Sequence, residues 1–128
     1  MTDLLERAAT WLDGQRSRHL SRQVTYVRGE DYVELAATMG STEVEVMDDA
    51  GATVVTKAAD FIVTASDLVL AAERVEPRVG DRIRVAAGDQ VLVYEVLELA
   101  GAGHFRPADP FGVALRIHAK LVDAEEAA

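Results

Sequence analysis

The stretch from Pro77 to Val96 constrains the fold more than any other. It reads Pro77-Arg78-Val79-Gly80-Asp81, then Arg82-Ile83-Arg84-Val85, then Ala87-Gly88-Asp89-Gln90, and returns as Val91-Leu92-Val93-Tyr94-Glu95-Val96. Gly reaches positive φ without steric cost, and an Asp beside it bonds the nearby backbone, so Gly-Asp pairs mark turns. Two β-rich runs around such a pair predict a β-hairpin. The return run is apolar on both sides, with Val91 and Val93 on one and Leu92, Tyr94 and Val96 on the other.

The rest of the chain supplies strands to pack around that hairpin. Val24-Thr25-Tyr26-Val27 leads through Gly29-Glu30-Asp31 into Tyr32-Val33-Glu34-Leu35, a second hairpin. Thr42 to Val46 alternates, which predicts Val44 and Val46 facing in and Glu43 and Glu45 facing water. Asp48-Asp49-Ala50-Gly51 is a turn signal. A strand resumes over 52–56, and Phe61-Ile62-Val63 is a short buried one. Thr64 to Leu68 predicts a turn or one helical turn, with Thr64 or Ser66 as cap. The last strand, Val113 to Lys120, predicts Leu115 and Ile117 inward and Arg116, His118 and Lys120 outward. The tail 123–128 is expected to fray.

Residues 3–20 predict the one helix. Leu4, Leu5, Ala8, Trp11, Leu12, Gln15, His19 and Leu20 recur at helical spacing. Asp3 and Glu6 resemble a capping box, and Arg16, Arg18 and Arg22 suit the negative end of the helix dipole. The stripe either packs on its own domain or, carrying the only Trp, docks on a partner. The long segment from Leu99 to Gly112 holds two of the three Phe residues, Phe105 and Phe111, with Arg106 between two prolines and the strand before. It either folds back on the body or meets a neighbour. The architecture expected is therefore mainly β: a small β-barrel or sandwich, 1–128 as one domain, with an N-terminal amphipathic helix, a β body over 23–122 and a long loop before the last strand.

Composition narrows the function classes. The 128 residues carry a net charge of −9 and contain no Cys, which excludes disulfides and thiolate metal sites and fits a reducing compartment. Residues 1–28 are net +2, so the remaining hundred are net −11. An acidic body argues against binding nucleic acid through its phosphates. No apolar run is long enough for a bilayer, and the acidic N-terminus lacks a signal-peptide pattern, so the expectation is a soluble intracellular protein without membrane contact. Gly101-Ala102-Gly103 lacks the third Gly of a dinucleotide fingerprint, and Pro107 and Pro110 forbid the helix it needs. His19, His104 and His118 show no ligand spacing, and no Ser lies in a nucleophile elbow. No catalytic, cofactor or metal residue is assigned, and the chain is expected not to be an enzyme.

The order of features resembles the small head–tail joining proteins of tailed bacteriophages, known as head completion, stopper or head-closure proteins. The residues that carry it are the helix ending near Leu20, Phe61-Ile62-Val63 followed by Asp67-Leu68, Pro77-Arg78-Val79-Gly80-Asp81-Arg82-Ile83, Tyr94-Glu95-Val96, and Leu115 to Lys120. The resemblance implies a homo-oligomeric ring, a hexamer or dodecamer, in the virion neck between a portal or adaptor and a tail terminator or tail tube protein. The protein would be made in the host cytoplasm, with DNA passing through the channel without specific binding. The interface candidates are Trp11, Leu12, Arg16, Tyr94, Phe105, Arg106 and Phe111; Glu43, Glu45, Asp48 and Asp49 are the candidates for an acidic channel wall. Alternative readings are a tail terminator or adaptor of the same neck, a small β-barrel that binds a ligand or peptide, and a hydrolase with converging carboxylates.

Overall fold

The computed structural model describes residues 4–127, without the side chains of 17–19; Asp3, the expected cap, and the side chains of Arg18 and His19 lie outside the described residues. Helix α1 spans Leu4–His19, and nine strands follow: β1 Arg22–Arg28, β2 Asp31–Met47, β3 Thr53–Thr64, β4 Val69–Leu70, β5 Glu73–Arg74, β6 Arg82–Ala87, β7 Gln90–Val96, β8 Phe105–Pro107 and β9 Ala114–Glu126. The mainly β expectation holds, as do both hairpins. The Gly29-Glu30 and Gly88-Asp89 turns each place only their Gly at positive φ, the pattern of a two-residue type II′ loop.

All strands but β4 and β5 form one antiparallel sheet in the order β3-β2-β1-β6-β7-β9-β8, and β9 also pairs with β3. The ladder therefore returns to its start. Strand β9 makes this possible by its length. Residues 114–119 pair with β3, and residues 119–126 pair along the other edge with β7. The expected frayed tail is thus strand as far as Glu126, and the Ala127 N–H reaches the Asp89 carbonyl. Inside the closed sheet lies a core of Val24, Tyr26, Leu35, Phe61, Ile83, Val85, Val96 and Ile117 with their neighbours. Tyr94 meets Phe61 edge-on at 5.0 Å. The Thr64–Leu68 segment is one 3-10 turn over Ala65–Asp67, with Thr64 before it but no side-chain cap.

Two pairs of expected short strands are each one long strand. The expected strands 32–35 and 42–46 are one, because β2 runs unbroken through Gly40 and Ser41. Gly40 lies opposite Asp60, and a Cβ there would come within 3.3 Å of the Arg116 guanidinium. The glycine marks a close side-chain crossing, not a turn. The β2–β3 register is unbroken from Ala37↔Val63 to Met47↔Thr53. Parity therefore puts Glu43 and Glu45 on the same face as Leu35 and Ala37, and Val44 and Val46 on the opposite one. The expected inward Val44 and Val46 do not reach the core, because the β2–β3 hairpin outruns the closed sheet: β1 pairs with β2 only to Ala37, and β9 with β3 only to Ala59. What remains is a two-stranded arm, about 20 Å long at ~3.4 Å per residue, ending in the Asp48 turn. There the Asp48 carboxylate accepts the N–H groups of Ala50 (2.9 Å) and Ala52 (2.8 Å).

Candidate assembly surface

Helix α1 sits against the outer face of β2 and β3 through one polar clasp. Arg16 donates to the Thr38 hydroxyl (2.8 Å), the Ile62 carbonyl (2.9 Å) and Asp13 (2.7 Å), and Thr64 donates to Asp13. Among the described α1 side chains none is fully buried. The apolar stripe does not pack on its own domain: Leu4 is 78% exposed, Leu5 70%, Trp11 63% and Leu12 60%. Between α1 and the segment 108–111 runs an open groove of about 630 Å³, lined by Leu5, Ala8, Leu12, Ile62, Pro110 and Phe111. An apolar surface of this kind is a candidate contact surface.

Asp109 builds the far wall of that groove. Its carboxylate accepts the N–H groups of Phe111 (2.8 Å), Val113 (3.2 Å) and Ala114 (2.8 Å). Burial alone would raise its pKa, but these bonds outweigh it and hold the carboxyl below the ordinary range. Phe111 is thereby presented at 40% exposure.

The structure divides the expected interface residues. Leu12, Arg16 and Phe111 share the groove, with Trp11 exposed on the same helix. Arg16, however, is committed to the clasp. Phe105 folds back: β8 pairs with β9, its ring packs on the core, and it meets His104 edge-on at 4.9 Å. Tyr94 is likewise half-buried against Phe61. Arg106 is exposed on β8, opposite Arg116. Glu43, Glu45, Asp48 and Asp49 are all exposed on the arm.

Two buried carboxylates that sequence reasoning passed over tie the framework together. Asp60, fully buried at the root of the arm, accepts from the Thr42 hydroxyl, from Arg116 Nε (2.6 Å) and from His118 Nδ1 (2.7 Å). An ionised carboxylate can only accept, so Nδ1 carries the proton. Burial alone would raise the Asp60 pKa, but the bonds from Thr42, His118 and Arg116 prevail and lower it. This overturns the expected outward His118, which is completely buried although it points away from the main core. Asp81, in the Gly80-Asp81 turn, accepts from the Tyr26 hydroxyl, from Arg28 Nε (3.0 Å) and Nη2 (2.8 Å), and from the Arg78 N–H (2.9 Å). Burial, opposed and outweighed by Arg28, Tyr26 and Arg78, leaves the Asp81 carboxyl lowered; burial followed by Asp81 itself raises the Tyr26 phenol, which stays protonated. The signal for Asp81 was its place in the turn; Asp60, inside an apolar run, gave none.

No group of three or more potential metal ligands occurs among the described residues. No described helix is long and apolar enough to cross a membrane. A family model described as phage head-tail joining protein matches residues 2–126. The chain belongs to that family. The match takes in the helix, the closed sheet and the arm alike. Comparison with curated proteins gave no match. The family is a structural component of the phage neck, not an enzyme class, and its members associate with other neck components.

Proposed function

We propose that this head-tail joining protein closes into a homo-oligomeric ring in the neck, between portal or adaptor and tail. There it retains packaged DNA and presents a docking platform. The observation that carries the reading is the exposed apolar face of α1 beside its groove. Burying Leu4, Leu5, Trp11 and Leu12 is worth roughly 1.5–3 kcal/mol each, and the lone subunit leaves that undone. A ring arises from heterologous contacts that close on themselves, and such a face needs a different surface to receive it. The acidic face of the arm supports a channel role. Glu43 and Glu45 side by side, with Asp48 and Asp49 at the tip, repel phosphates, so DNA slides past without binding.

The test is the mass of the purified chain alone and mixed with portal, alongside particles assembled with Leu5→Ser/Leu12→Ser. The expected result is a large closed oligomer, formed alone or on portal, and, in the double variant, particles that package DNA but neither retain it nor carry tails. Trp11 is the only Trp, so its emission should shift to the blue on assembly. A chain that stays monomeric with portal, and tailed particles from the double variant, would refute the reading.

A further inference from the structure

The closed sheet is not closed along its whole length. Past Ala59↔Ala119, strands β3 and β9 part, and each continues alone on that side: β3 from Ala58 back to Thr53, β9 from Lys120 to Glu126. The opposite edge of each is taken, by β2 and by β7. The parting of β3 and β9 therefore leaves two free main-chain edges of nearly equal length, six and seven residues. A row of unpaired N–H and C=O groups is a template for another strand. Neither edge carries a Pro. Apolar side chains along both are exposed, Val55 at 56%, Leu121 at 53% and Val122 at 37%, although Ala58 at the root of the β3 edge is buried.

The two edges differ in charge. Thr53-Val54-Val55-Thr56-Lys57-Ala58 is β-branched with a single positive charge, whereas Lys120 to Glu126 carries Asp123, Glu125 and Glu126 against Lys120. The other free edge of the arm, on β2, bears Glu43 and Glu45, and like charges set opposite each other across strands repel. The β3 edge is the one that fits.

We infer that the β3 edge of one copy's arm pairs with the β9 edge of the next copy, so that adjacent subunits share a continuous sheet. The inference rests on the ring reading above and names its contact. Two different edges on one chain make the contact heterologous, and a closed ring then leaves neither of these two edges unpaired. Edge pairing uses the sides of the arm, so its Glu43 and Glu45 face stays free for the channel. The occupant is a second copy because this chain supplies both halves, matched in length and opposite in charge.

The chain has no Cys, so introduced pairs report without background. Val55→Cys combined with Leu121→Cys, and separately with Val122→Cys, should give a ladder of covalent multimers after oxidation of the assembled protein, collapsing on reduction. Val44→Cys with Val122→Cys, placed on the far strand of the arm, should give none. Circular dichroism checks that each variant is folded. Native-sized oligomers without a ladder from either pair, or with an equal ladder from the control, would overturn the edge contact and leave the ring standing. A chain monomeric even on portal would overturn both.

Discussion

Asp60→Asn tests the account of the arm's root most directly. The substitution keeps the shape and removes the charge. The oxygen that serves Thr42 and Arg116 can remain an acceptor, but the new amide then turns N–H groups toward the His118 Nδ1 proton. His118 must change tautomer, which points an N–H at Nε2, an atom buried with no partner among the described residues. Hydrogen bonds to charged groups contribute about 1.5–3 kcal/mol each. The Arg116 bond is discounted because its side chain is 26% exposed, while the His118 bond is fully buried. Together the loss comes to about 3 kcal/mol. For a domain of this size that lowers Tm by roughly 9–15 °C. Calorimetry at pH 7 under monomeric conditions measures it, with Thr42→Val as a comparison at about 1 kcal/mol. A loss below about 1 kcal/mol for Asp60→Asn would show that water already solvates the cluster, and the argument from buried charge would fail.

The remaining predictions concern acid, the two phenylalanines and a strained turn. Asp60, Asp81 and Asp109 all have lowered pKa values in the fold, so their contribution is complete above the unfolded carboxylate value of about 3.9 and lost as pH falls through the folded values. Denaturant midpoints should hold between pH 5 and 7 and drop steeply below about pH 4; Asp81→Asn should make that acid limb shallower, and an unchanged limb would contradict the assignment. Phe105→Ser should cost about 2–4 kcal/mol by urea titration because its ring packs on the core, whereas Phe111→Ser should cost under about 1 kcal/mol; equal costs would refute the division of the two. Ala71 and Ala72 join β4 to β5 with φ of 51° and 66°, a type I′ turn that favours Asn-Gly. Ala72→Gly should raise stability by up to about 1 kcal/mol, and a lower Tm would show that the turn is not strained.

Local rules reached much of this fold and stopped where contacts are distant in sequence. The hairpins at Gly29 and Gly88 were legible because their turn chemistry is local. The continuous β2 was not, because what places Gly40 inside a strand is Arg116 crossing it from far along the chain. His118 alternates with core residues and so reads as solvent-facing. Only the opposing Asp60, 58 positions away, makes its burial tolerable. The tail 123–126 looks like a solvated end because its charges hide a strand that forms only against β7. Spacing gave the α1 stripe, and the long segment 99–112 gave Phe105 and Phe111 without distinguishing them; the inward packing of Phe105 depends on β8, a strand too short to announce itself.

The clasp at Arg16 has a consequence for how the helix meets other proteins. An apolar seam resists opening because water gains nothing from the surfaces exposed. Arginine, aspartate and threonine groups regain hydration once released, which offsets part of the bonds they lose. The helix is therefore oriented for encounter yet not welded to the body. On the proposed reading, a neighbour that covered Leu5 and Leu12 would act on a helix held to the sheet through that polar clasp, with the closed sheet behind it unchanged.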